Sequence, residues 1–455
     1  MAIAAGMESK TLPEIIDVFL RPVIVSKGYG GCEATIVTNI SSFTGIATYP
    51  YPKGITGTET IEFLKDYSTI EERLKNIMKS LDPRKLDEVD EVLKAALGDD
   101  VNPTIQLALG YACCRAGARH KAVPLYRYIA DFSDSSSSMC IPMPIISVLG
   151  VAAGEPDSPN TQDITITPTS ALSFKDAFES SMQLSYNIQT KLLSTRVQQI
   201  TSENGCPRTT MESFDECAKF VKEVLNDSDI PCDIKLGMDL RGDSFVFESD
   251  DGKFQSRYIF KGKDAASQNG FEVAQAISNC YREAELISVE DPLSGLDIDS
   301  LKAFKNKVNS TIADIKKEMS EDLEYNIKGV GGDSNCVIQI VADNICKSAE
   351  DVEHLDGNRI YNAVKVRMDK IGSVTDAIKL VKTAKNLGWS IIVGTNEESP
   401  ESMDTFISDF AVGIGATQLM AGGLYSGEHI CKYNRLCEIA RENEEIKFVS
   451  KKFRK

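Results

Sequence analysis

The chain has 455 residues, 42% of them hydrophobic and 26% charged, which supports a buried core and excludes wholesale disorder. Length alone gives two or three domains at ~150 residues each, although one α/β barrel can use ~250. Fifty Lys+Arg against 67 Asp+Glu leave a net charge of −17. That balance argues against a nucleic-acid binder, which needs a basic face to displace counterions, and against docking on anionic membranes.

In chain order, the first ~65 residues read as strands and turns, because "PVIVSKGYGGCEATIVTNISSFTGIATYPY" has β-rich runs broken by Gly pairs. Ile70 to about Phe132 reads as helices, including "TIQLALGYACCRAGARHKAVPLYRYIADF", whose small apolar face (Ala108, Ala112, Cys113, Ala116) suits close packing. "SDSSSSM" (133–139) is the predicted linker. Short apolar strands then alternate with helical stretches: "CIPMPIISVLG", "DITITPT", "DIKLGMDL", "LISVEDP", "VIQIVADN", "YNAVKVRM", "WSIIVGTN" and "ATQLMAGG". Such alternation predicts a parallel sheet closed by helices, and eight strands suggest a barrel. The basic tail "EEIKFVSKKFRK" reads as a solvated terminus.

The 12 cysteines show no CxxC pair or metal-finger spacing, and the start lacks a signal peptide's basic and apolar regions. Together they predict a cytoplasmic protein with thiols used as small buried groups. No run of ~18 apolar residues suggests a membrane span. Of the three histidines, His120 and His429 are expected at the surface or at caps. The Gly-rich "KGVGGDSN" (328–335) lacks the spacing and Lys-Ser/Thr ending of a phosphate loop.

Three strands finish in an acid where apolar character stops: Asp239, Glu290 and Asp343, spaced 51 and 53 residues apart. In a parallel barrel these positions fall on the C-terminal rim, where barrel sites are built. Converging carboxylates there suit a hard cation of the Mg²⁺ kind. Singly, each acid is more simply a loop residue or helix cap; three in register on neighbouring strands favour the metal.

Several stretches resemble the enolase family: "PLYRYIADF", "KIGSVTDAIKLVKTAKNLGW", "DTFISDFAVGIGATQ" and "KYNRL", with "GMD" and "VEDP" where that family has metal motifs. The resemblance covers roughly residues 14–440. It implies an α/β fold with an enolase-type (β/α)8 barrel, preceded by a smaller α+β domain. The implied bounds are 1–138 for that domain, 139–442 for the barrel and 443–455 for a basic tail. It also implies a homodimer and the dehydration of 2-phosphoglycerate to phosphoenolpyruvate with two Mg²⁺.

Carried across by position, the resemblance gives Asp239, Glu290 and Asp343 to the first Mg²⁺, so one metal site is expected. "ITSENG" against the family's "VGDEGG" puts Glu203 on the general acid. Other positions depart. Gly154 stands where a histidine belongs, and Gln162 and Asp163 where Gln-Glu belongs. The lid "SGASTG" is here Lys53 to Gly57, one residue short, so the serine of the second Mg²⁺ has no counterpart and that site is not expected. Counting back from Gly372 places Arg367 on the catalytic base lysine. The phosphate-binding "SHRSGE" becomes Gly394, Thr395, Asn396, Glu397 and Glu398, and the second lysine becomes Met420.

Arginine stays protonated in proteins, so Arg367 cannot take a proton from carbon at neutral pH. Each charged hydrogen bond lost to a buried anion costs ~1.5–3 kcal/mol. Several losses together exceed the ~8 kcal/mol that separates the slower enzymes from solution chemistry. The expectation is therefore a pseudoenzyme with a binding or structural role, in a dimer or larger assembly; a cytoskeletal or ciliary setting is one guess. The alternatives are an active Mg²⁺-dependent enolase, or α-proton abstraction from another acid. Lys365 offers the latter a base, because it shares a strand face with Arg367.

Overall fold

The computed structural model describes residues 12–50, 67–97, 103–152, 161–194, 200–202, 204–209, 211, 213–247, 257–258, 267–318, 338–395, 400–452 and 454. The N-terminal meander is three antiparallel strands, β1 (Ile15–Ile24), β2 (Gly30–Thr38) and β3 (Ser42–Thr48). One face of β2 is apolar (Cys32, Ala34, Ile36) and fully buried. The helix Pro103–His120 packs on β2 and β3. Its Ala and Cys positions, including Cys113 and Cys114, are buried, so small side chains let helix and sheet approach closely. Helices Tyr67–Met78, Leu86–Leu97 and Leu125–Phe132 complete this region.

The remainder is a closed barrel. Its strands are β4 (Met143–Ala152), β5 (Thr161–Pro168), β8 (Ile234–Asp239), β12 (Leu286–Glu290), β13 (Gln339–Ala342), β14 (Ala363–Val366), β15 (Ser390–Gly394) and β16 (Gln418–Met420). Pairing of β16 with β4 shuts the ring. A short hairpin, β6 (Ile200–Thr201) and β7 (Pro207–Thr209), extends from β4. Between β8 and β12 sits a small antiparallel insert of β9 (Val246–Phe247), β10 (Arg257–Tyr258) and β11 (Gln268–Asn269).

Two expectations need correction. The barrel is not wholly parallel: β5 runs antiparallel to both β4 and β8. Its connection from Ala152 to Thr161 is shorter than the dozen or so residues a parallel crossover needs, so the chain doubles back. The tail is not simply solvated either. Phe448 bridges to Ile141, Val449 donates its N–H to the Ile141 carbonyl (3.0 Å), and the Phe448 ring stands edge-on to Phe174. Apolar Ile446 and Phe448 inside the basic sequence explain the docking.

The barrel interior is layered by strand alternation. At the bottom, the Gln339 and Gln418 amides exchange hydrogen bonds at 3.2 Å. Above them Ile145, Val341, Ala363, Ile392 and Met420 form a separate apolar cluster. Two residues further along the strands the interior turns polar.

The N-terminal region is tied over this polar end. Arg115, from the helix Pro103–His120, binds Asp404 of the barrel with both arms (2.6 and 2.9 Å) and the Thr44 carbonyl of β3 at 2.7 Å. Asp404 also accepts from the Ile46 N–H (3.0 Å). A second tie joins buried Asp90 to the Thr375 hydroxyl at 2.6 Å.

Candidate functional site

The acids at the strand ends meet at the rim. Asp239 pairs in register with Glu290, and Glu290 with Val341, so Asp343 lies two residues beyond, just past β13. All three carboxylates are buried. Asp163, on the antiparallel β5, pairs in register with Asp239 and accepts a hydrogen bond from the Asn204 amide.

Cations answer these acids. The Lys365 ammonium donates to Glu290 Oε1 at 2.8 Å and stands 3.6 Å from Asp343 Oδ2. Arg367 Nε lies 2.6 Å from Asp343 Oδ1, and its Nη2 donates to the Asn344 side chain at 2.8 Å. Lys370 donates to that same Asn344 oxygen. On the other flank, Arg241 Nε is 3.9 Å from Asp239 Oδ2. Lys365 and Arg367 are each only 1% exposed. β14 ends at Val366, and Arg367 sits as the N-cap of the short helix Met368–Ile371. The two side chains nonetheless reach the same acid, as positions i and i+2 of an extended run should.

Asp291, a site residue that sequence reasoning passed over, fixes the two loops bearing these acids. Its carboxylate accepts the backbone N–H groups of Asp343 (3.0 Å) and Asn344 (2.8 Å). Burial, helped by the Asp343 charge, pushes its carboxyl up to about 7. Its backbone sits at φ +40°, the left-handed region that a non-glycine residue enters at a cost. The signal available was its place in "VEDP", directly after a rim acid.

Met420 faces the apolar layer, where it packs with Ala363 and Ile392. Thr395 follows β15 and donates its N–H to the Met420 carbonyl at 3.0 Å. Glu203, Gly154, Asn396, Glu397, Glu398, the Lys53–Gly57 segment and the Gly-rich 328–335 run lie outside the described residues. His429 corrects an expectation: it is buried, not at the surface, with Nδ1 2.7 Å from the Ala421 carbonyl. Tight turns at Gly205 and Gly422 pack against its ring and close it in.

Over the rim, among the described residues, Ile46–Thr48, Tyr111, Met368, Asp369, Thr395, Glu401 and Lys432 line a half-open cavity of about 50 Å³. Glu401 and Lys432 form a buried ion pair at 2.7 Å across its wall, and burial raises the Glu401 carboxyl above its ordinary value despite the lysine.

A family model described as the enolase C-terminal TIM barrel domain matches residues 138–455. The chain belongs to the enolase family. Its relatives include cytosolic enolase 3 of Arabidopsis thaliana, 25% identical over 97% of this chain and 90% of that protein. An enolase of Solanum lycopersicum is 25% identical over 77% of this chain and 73% of its own length. One of Malacoplasma penetrans is 25% identical over 80% and 77%. At this distance the family is plain and the chemistry is not inherited automatically.

Enolases are generally Mg²⁺-dependent, so the fit of a divalent ion can be tested on these residues. The donor chemistry is right, with three carboxylates on neighbouring strand ends. The arrangement is not. Among the described residues no group of three or more His, Cys, Asp or Glu side chains stands close enough to hold an ion. The Glu290 and Asp343 oxygens point instead at the Lys365 ammonium and the Arg367 guanidinium. As arranged, the described rim residues of this enolase-family chain do not gather around a divalent metal. No described helix is long and apolar enough to cross a membrane.

Proposed function

We propose that this chain has lost 2-phosphoglycerate dehydration and acts as a binding or structural member of the enolase family, as a homodimer. The observation that carries the reading is Arg367. At the position the resemblance gives to the base lysine stands a guanidinium, buried and 2.6 Å from Asp343 Oδ1. A proton acceptor there must be neutral when the substrate binds. Arginine is not, and its ion pair holds it facing the carboxylate. Met420 adds to the argument, because a thioether in an apolar layer offers nothing to a phosphate or carboxylate.

The direct test is dehydration of 2-phosphoglycerate by the full-length chain with Mg²⁺, followed as phosphoenolpyruvate absorbance. No turnover above the buffer rate is expected. Turnover at rates typical of enzymes would make the chain an active enolase and end this reading. The triple variant Arg367→Lys, Asn396→Arg, Met420→Lys measures how much of the lost machinery those positions represent. Light scattering at micromolar concentration tests the dimer, and a monomer peak would reject it. A co-purifying partner, still captured by Asp239→Ala, would support the structural role. No cytoskeletal or ciliary partner is proposed.

A further inference from the structure

We propose that Lys365 is a built-in cation that replaces the divalent metal at the strand ends, its ammonium held between Glu290 and Asp343 in a slot left open by Gly394. Two independent features carry this. The first is the ammonium itself, 2.8 Å from Glu290 Oε1 and 3.6 Å from Asp343 Oδ2 in the barrel interior. The second is the slot. A Cβ at position 394 would lie 2.6 Å from Lys365 Cε, 3.0 Å from Cγ and 3.2 Å from Cδ. Any larger residue there would force the lysine stem to shift from its place between the two acids. β14 and β15 pair with Lys365 opposite Ile392, so Gly394 is the next inward position along the neighbouring strand. A lysine on one strand and a glycine on the next are matched pieces of one arrangement.

The charges close around it. Asp239, Glu290 and Asp343 are answered by Arg241, Lys365 and Arg367, three acids against three bases, all buried. Asp163 turns to Asn204, and Asp291 is spent on backbone N–H groups. A Mg²⁺ ion needs near-octahedral oxygen ligands at about 2.0–2.1 Å. To reach Glu290 it would have to enter beside an ammonium that already holds that oxygen, and both like-charge repulsion and the lost hydrogen bond oppose it. Among the described residues each of the three strand-end acids thus has a cation beside it without metal. This inference reaches beyond the loss of turnover and does not depend on it, since an inactive barrel can still bind a metal.

The test is a Mn²⁺ titration of the full-length protein, read by the electron paramagnetic resonance of free Mn²⁺, beside Lys365→Met. Wild type is expected to show no saturable site into the millimolar range, and Lys365→Met to gain one. Micromolar binding by wild type overturns the inference and leaves the loss-of-turnover reading standing. So does a folded Lys365→Met that gains no site, because the acids would then not be metal ligands that lysine displaced. Should Lys365→Met fail to fold, the Gly394→Ala pair decides. Gly394→Ala is expected to melt several degrees below wild type, and Lys365→Ala in the same chain to cost much less than it does alone. Additive losses would overturn the slot.

Discussion

The tie between Arg115 and Asp404 holds the N-terminal region over the barrel rim, and Arg115→Met isolates it. The arginine makes three short hydrogen bonds, two to Asp404 and one to the Thr44 carbonyl. Its guanidinium also lies 5.9 Å from the Phe406 ring centroid. Methionine keeps the stem packing and leaves the Asp404 carboxylate buried with only backbone N–H partners, from Ile46 and Phe406. Breaking a buried pair by removing one partner costs roughly 3–5 kcal/mol. Arg115 is a quarter exposed, so the lower end, about 3 kcal/mol, is expected. The pH dependence supplies a second check. Burial alone would raise the Asp404 carboxyl, but the Arg115 charge and hydrogen bonds outweigh it and hold it below the ordinary value. A depressed acid contributes stability that is present above its unfolded pKa, about 3.9, and is lost as pH falls through the folded value. Urea unfolding of wild type and Arg115→Met should therefore differ by about 3 kcal/mol at neutral pH, with the gap narrowing below about pH 4. A difference under about 1 kcal/mol at neutral pH, typical of a surface pair, would refute the reasoning. So would a gap that acid leaves unchanged.

Other outcomes follow from the same geometry. The single tryptophan, Trp389, is buried beside Tyr361 and donates Nε1–H to Asp356 Oδ1 at 2.9 Å. Asp356→Ala should cost about 1–3 kcal/mol in urea unfolding. It should leave the native fluorescence blue-shifted, and a red-shifted native spectrum would contradict the packing. Phe448→Ala removes the ring seated on Phe174 and should cost roughly 1–3 kcal/mol, less than a fully buried phenylalanine because Phe448 is only partly covered. An unchanged midpoint would mean the tail is solvated after all.

The barrel was legible because its strands are short, mostly apolar runs that alternate with longer helical stretches of their own periodicity. The direction of β5 was not, because "DITITPT" carries no mark of polarity along the sheet; only the short connection before it does. At the site, Asp239, Glu290 and Asp343 announce themselves as acids at the ends of apolar runs. The shared face of Lys365 and Arg367 was also readable from their i, i+2 spacing. What the chain does with them was not. That Gly394 makes room for a lysine stem depends on how two strands register across the barrel, and strand spelling does not encode that register. Asp291 was missed because its role is to accept backbone N–H groups from a loop some 50 residues away. Arg115 carried a signal that went unread, as a charge within the apolar stretch "YACCRAG".

The account rests on the absence of a proton acceptor at Arg367, and hydrogen exchange at carbon 2 of 2-phosphoglycerate reports that acceptor directly, before any carbon–oxygen bond breaks. In D₂O with Mg²⁺ and the full-length chain, the proton NMR signal at that carbon should persist as it does in buffer. Its steady loss to deuterium, even with no phosphoenolpyruvate formed, would reveal a working base at the rim and contradict the account.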